Sequence, residues 1–323
     1  MLRLLQSIFG SASQGRYPES LVTEAIERAV DGTDPGLRAV SGYRKKLRPA
    51  VICAIDHVIA LVEALPTPMP VRLAAYSDDS RLKGFFISAA DLKNVFTKDR
   101  SLADFLQGPA GDATQIFALL AMEKQERGTF GAELSGDIVI RDVPKVTVSF
   151  DAHRLLDPTA DEVTTRRLLM RRAYDHLLSL ALKRLAFVKS ERIDLERRRT
   201  LLQAKLNLLE REGWGFDAAD PGEKISAATL EERLGELETQ LQEFGGDDRE
   251  HEAYLQIVAD LLGKPEEYLL AKSETIFVNR MGFKQSEASS DAPELTFTEL
   301  RNAEGRSLVA VLVSLQGEEL RNL

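Results

Sequence analysis

The residues that could do chemistry are few and unevenly placed. Residues 195–217, LERRRTLLQAKLNLLEREGWGFD, set Arg197, Arg198 and Arg199 ahead of regularly spaced leucines and the only tryptophan of the chain, Trp214. Arg166, Arg167, Arg171 and Arg172 stand upstream of them. Guanidinium groups in this pattern could neutralise the phosphates of a nucleic acid. Trp214 and Phe216, in a Gly-Trp-Gly-Phe stretch, could anchor a protein partner, because buried aromatic side chains dominate binding energy at interfaces. The competing reading is that both fold back to plug the bend in which they lie.

Other reactive groups form no constellation. His57 follows Asp56, His153 lies near Asp151, His176 follows Asp175, and His251 stands between Glu250 and Glu252. Neighbouring helical residues point about 100° apart, so Asp175 and His176 do not chelate. No histidine has a metal-ligand spacing, and no phosphate or dinucleotide loop is present. There is no nucleophile elbow. The single cysteine, Cys53, can form neither an internal disulfide nor a multi-cysteine metal site. We therefore expect no cofactor and no metal, and we assign no catalytic residue. An enzyme whose groups converge from distant positions stays as an alternative.

The totals bound the remaining classes. A chain of 323 residues suggests two domains at roughly 150 residues each. A net charge of −9 makes the whole molecule no natural magnet for nucleic acid or anionic lipid. The longest apolar stretch, residues 49–65, is interrupted by Asp56, His57 and Glu63 and falls short of the ~20 apolar residues of a membrane span. One cysteine fits a reducing compartment, and the N-terminal MLRLLQSIFG is too short for a signal peptide. The expected location is cytoplasmic. Leu2, Leu5 and Phe9 on one side of a short helix, together with Arg44, Lys45, Lys46 and Arg48, could touch an anionic membrane surface. Packing of that helix on the domain, with a solvated basic turn, is the competing reading.

The elements that must position these groups change character along the chain. Residues 1–110 read as helical. One helix starts after Pro18 and runs to about Asp31. Asp34-Pro35 opens a short helix, and Pro49 starts another that ends near Leu65. Ser88 and Asp99 are expected to cap further helices. Residues 111–155 and 270–323 read as an antiparallel β domain in two halves. Segments 115–126, 129–141 and 144–151 predict a three-stranded meander, divided at Arg127-Gly128 and Asp142-Val143. In the second half, 274–281 is a strand, and 294–300 with 307–315 forms a hairpin. The stretch LVAVLVSL is apolar on both faces and predicts a buried central strand.

Between the halves, residues 160–265 read as a helical insertion. No Gly or Pro occurs from Asp161 to Arg211, which predicts one long helix. Helices over about 226–244 and 248–262 follow. Tyr174, Ala181, Val188, Leu195, Leu202 and Leu209 recur every seven residues, and Leu230, Leu234, Leu237, Leu241 and Phe244 in steps of four and three. Both are coiled-coil spacings. An antiparallel pairing in which facing residue numbers sum to 439 matches Leu209 with Leu230 and Leu202 with Leu237. It matches Leu195 with Phe244, and further along Leu185 with Tyr254 and Ala181 with Val258. Residues 164–211 hold 13 Lys/Arg against 5 Asp/Glu, and residues 212–267 hold 4 against 16. A basic arm thus meets an acidic one, and such charge matching sets partner and orientation.

The reading is an α+β protein: a helical N-terminal region and an antiparallel β-sheet or small barrel, interrupted by a long antiparallel coiled-coil hairpin. Its expected function is that of a non-enzymatic adaptor or scaffold contacting a protein partner through the coiled coil or its tip. Unused faces such as Leu201 and Leu208 would serve self-association. Nucleic-acid binding by the basic helix is an alternative that the acidic return arm disfavours.

Overall fold

A 51-residue helix dominates the chain. The computed structural model describes residues 17–135, 138–212, 227–243, 246–279, 281–289 and 292–322. In chain order the helices are α1 (Glu19–Thr33), α2 (Tyr43–Glu63), α3 (Ser80–Phe85), α4 (Ala89–Lys98) and α5 (Arg100–Gln107), then α6 (Glu162–Glu212), α7 (Ala227–Glu243), α8 (Gly246–Gly263) and α9 (Gly317–Arg321). The strands are β1 (Met69–Val71), β2 (Gln115–Ser135), β3 (Ile138–Thr159), β4 (Leu269–Val278), β5 (Lys284–Gln285), β6 (Glu294–Asn302) and β7 (Ser307–Gln316). The fold is α+β. Two compact units are present: Met1–Ile55 with Asp175–Pro265, and Asp56–Tyr174 with Glu266–Leu323. Both α2 and α6 contribute residues to each unit.

Local signals place the helix ends. The Asp161 carboxylate accepts the Thr164 amide at 2.8 Å and starts α6. Ser88 accepts the Asp91 amide ahead of α4, and Asp99 the Leu102 amide ahead of α5, so both expected caps are present. Asp34 caps a 3-10 turn, Pro35–Ala39, by accepting the Gly36 amide. Pro49 does not start its helix: α2 begins at Tyr43 and carries Pro49 inside. A proline past the first turn removes one backbone hydrogen bond and crowds the carbonyl four residues earlier, yet six residues before Pro49 belong to the helix.

The unit built on Asp56–Tyr174 and Glu266–Leu323 contains a seven-stranded sheet, in which six strands run in the order β3-β2-β7-β6-β4-β5 and β1 pairs with β7 off this path. The expected meander is two strands, of 21 and 22 residues. Arg127 and Gly128 are ordinary ladder residues opposite Thr147 and Val146. Asp142 marks a bulge instead of a turn. The pairing slips between Gly131 and Glu133, between Ala121 and Glu123, and between Phe117 and Leu119. On β3 these three slips carry the positive-φ residues Asp142, Ala152 and Asp157. Bulges bend and twist a ribbon, and an isolated bridge from Thr147 to Phe283 brings β3 to the start of β5, so the sheet is nearly closed. β7 is central as expected. It pairs with β2 along one side, and with β6 from Ser307 to Ala310 on the other. There β1 takes over in parallel at Val313–Leu315.

Alternating residues make this core. Ile116, Leu120, Met122, Val309, Val311 and Val313 point inward with Phe297 and Leu295, and they are covered by Phe85, Leu92 and Phe96 from the short helices and by Phe86, just after α3. The rings of Phe85, Phe150 and Phe297 meet edge to face at 5.1–6.4 Å, the geometry aromatic quadrupoles prefer. In the other unit, Ile26, Val30, Leu37, Leu47, Val51, Leu177, Leu178, Ala181, Leu185, Tyr254, Val258 and Leu261 are buried.

Ala152 holds φ at 53°, where a Cβ is unfavourable by about 1–2 kcal/mol. Ala152→Gly should therefore stabilise the protein by about 1 kcal/mol in urea unfolding, and Ala152→Val should destabilise it. Equal stability of all three proteins would show that the bulge carries no strain.

Candidate interaction surface

The basic residues of α6 separate into structural and exposed groups. Arg166 is buried. Its guanidinium donates to the carbonyls of Val62 at 2.7 Å, Leu65 at 3.4 Å and Pro66 at 3.2 Å, and pairs with Glu162 at 2.8 Å. The last carbonyls of a helix have no partner within it, and Arg166 supplies donors at the end of α2. Arg172 holds Asp157 through two hydrogen bonds, at 2.7 and 2.8 Å. Arg167 and Arg171 are exposed, as is Arg198, while Arg199 is half-buried. Arg197 is 77% exposed and lies 3.7 Å from Asp194. Trp214 and Phe216 lie outside the described residues, as do Leu2, Leu5 and Phe9.

The basic cluster Arg44, Lys46 and Arg48 is engaged with acids. Arg44 pairs with Glu27, Lys46 with Glu252 and Arg48 with Glu19. Glu27 also accepts from Tyr43 and Arg38; the Tyr43 hydroxyl, then Arg38, hold its carboxyl down at about 2.

A polar cluster that the sequence reading did not single out ties α6 to α8 and to the 3-10 turn. Arg192, on α6, is buried between Glu196 at 2.9 Å and Glu250 of α8 at 3.0 Å. Burial opposes its charge, but the two carboxylates outweigh this and hold it above the ordinary arginine value. Tyr254 lies against the same pair; burial first, then Glu250, push its hydroxyl up to about 12. Lys189 sits 4.9 Å above the Tyr254 ring and 2.7 Å from Asp34. Burial opposes the Asp34 charge, and Lys189 and the Gly36 amide overcome it, leaving the carboxyl below its ordinary value. The His251 ring lies 2.7 Å from where a Cβ would stand on Gly36, so only glycine fits there without a shift. The Asp34-Pro35 turn and the pairing of Tyr254 with Leu185 were visible, but not the convergence of Tyr254 with Asp34 and Lys189.

Beyond this cluster α6 and α7 pack through leucines. Leu206, Leu230 and Leu234 form one buried group with Leu202 against it. The group brings together Leu202 and Leu230, two positions of the expected repeats, with Leu206 and Leu234. On the other side of α6, Leu201 and Leu208 stand 59% and 58% exposed.

Three further reactive groups are held by backbone carbonyls. His57 donates from Nε2 to the Leu269 carbonyl at 2.7 Å, and His153 to that of Phe85 at 2.7 Å, with its ring stacked on Phe86. The Cys53 thiol donates to the Gly263 carbonyl at 3.3 Å. Among the described residues no group of three or more His, Cys, Asp or Glu is arranged to hold a metal ion. No described helix is long and apolar enough to cross a membrane. No family model matches the chain, and no curated protein or solved structure is significantly similar to it.

Arg192→Leu leaves two carboxylates without their cation. Both are partly in water, so the expected loss is about 2 kcal/mol, below the ~3–5 kcal/mol of a fully buried pair. Arg197→Leu should stay within about 0.5 kcal/mol of the parent. Urea unfolding checks both; an Arg192→Leu protein as stable as the parent would contradict the assignment of Arg192 as the tie between α6 and α8.

Proposed function

We propose that the protein is a non-enzymatic adaptor or scaffold, which contacts a protein partner through the coiled coil formed by α6 and α7. The observation that carries this reading is the pair Leu201 and Leu208. They stand exposed on a helix whose opposite side, at Leu202 and Leu206, is already covered by α7. Surface leucines scattered singly need no explanation, whereas contiguous apolar surface marks an interaction site. Engagement of Arg166 with backbone carbonyls and of Arg172 with Asp157 reduces the set of arginines open to phosphate. This favours a protein partner over nucleic acid. Trp214 and Phe216, at the connection of the two helices, remain candidate anchors of the same contact.

The test is affinity capture with the whole chain and with a variant lacking residues 196–244. That deletion removes the leucine group and Glu196, while sparing Arg192, its partner Glu250 and the sheet. The reading predicts a protein captured by the whole chain and lost with the deletion, with the cooperative unfolding of the rest retained. The same captured protein with both baits, or capture of nucleic acid alone, would refute it.

A further inference from the structure

The outward face of α6 carries a second seam with its own repeat. Leu182, Ala186, Ser190, Ile193, Arg197, Leu201, Ala204 and Leu208 follow one another in steps of four, four and three, and all are exposed. This is an 11-residue repeat of about 3.67 residues per turn, which runs nearly straight along a helix. The covered face, with Ala181, Leu185, Val188, Arg192 and Leu206, lies roughly 150° around the helix at 100° per residue. From Leu182 to Leu208 the seam spans about 40 Å. Its large members are substantially open: Leu182 is 45% and Ile193 48% exposed, beside Leu201 and Leu208.

Charge decides what fits this seam. The exposed charged residues between Leu182 and Leu208 are Lys183, Arg184, Arg197, Arg198 and Lys205, against Glu191 and Asp194. A second copy of α6 would bring cations against cations. The outward face of α7 offers Glu231, Glu232, Glu236 and Glu238, but no exposed large apolar side chain is found among its described residues. An occupant must therefore supply both leucine-like side chains and acids. The seam is also narrow, with an arginine at its centre and Ala or Ser between the large residues, which suits the ridge of one helix better than an acyl layer.

We propose that this face of α6 docks an acidic amphipathic helix of a partner protein, with apolar residues in the same four-four-three spacing and a carboxylate set against Arg197. The proposal rests on the adaptor reading above and names the chemistry of its partner.

The probe is a labelled synthetic helix as long as the Leu182–Leu208 seam, with Leu and Ala in that spacing and Glu at the centre and flanks. A matched helix carries Lys in place of Glu. Fluorescence anisotropy with the full chain should show the acidic helix binding at least about tenfold tighter than the basic one. The double variant Leu201→Glu/Leu208→Glu should weaken it by at least about tenfold, and Arg197→Glu should narrow the preference for the acidic helix. Circular dichroism confirms folding; should the double variant unfold, the Arg197→Glu comparison still decides. Equal binding of the two helices would overturn the proposal, as would acidic-helix binding that survives the substitutions. Binding to phosphatidylserine vesicles with the same dependence on Leu201 and Leu208, in place of helix binding, would also overturn it. A partner lost with the 196–244 deletion but kept by the double variant would sink this proposal alone; one kept by both would sink the adaptor reading.

Discussion

A helix of 51 residues without glycine or proline must bury one face along its whole length, and most of the features described above follow from how α6 does so. Helical stability in proteins comes mainly from packing of an apolar face and only weakly from propensity. Within the unit that contains Asp175–Pro265, the buried face of α6 runs first through Leu178, Ala181 and Leu185, and later through Leu206, which packs with Leu230 and Leu234 of α7. Between these zones lies Arg192, a buried cation within an apolar seam. An ion pair of this kind adds little net stability. With Glu196, Glu250, Lys189 and Asp34 around it, it fixes which turn of α6 faces α8.

How much of this was legible depended on how local each signal was. The bounds of α6, the caps at Ser88 and Asp99, and the β6–β7 hairpin rest on residues within one turn or one ladder of each other, and they were read correctly. The β2–β3 ribbon was not. Arg127-Gly128 has turn composition, but long-range pairing with Val146 and Thr147 absorbs it as strand. Asp142 does adopt the left-handed backbone that turn residues allow, yet uses it for a bulge. Pro49 misled in the same way, because the helix before it is held by contacts that no neighbouring residue announces. The role of Arg166 was illegible for a stronger reason: its acceptors, the carbonyls of Val62, Leu65 and Pro66, lie about 100 residues away in the chain.

The same distinction reshapes the arginine-rich segment. Composition alone presents a row of equivalent cations. In the fold they differ by what they touch: backbone carbonyls for Arg166, a strand carboxylate for Arg172, and an exposed pairing with Asp194 on the preceding turn for Arg197. The exposed ones flank an apolar seam, and this combination moves the reading from a phosphate grip toward a surface that discriminates between proteins. Charged groups beside an apolar stripe contribute partner choice and encounter rate more than affinity.

The most direct test of the central claim, that the outward face of α6 is a protein interface, is photocrosslinking from single positions in cells that express the protein. A photoreactive phenylalanine analogue at Leu201 or Leu208 should yield one discrete protein adduct, and the same analogue at Glu232 on α7 should not. No adduct from Leu201 and Leu208, or the same adducts from all three positions, would contradict it.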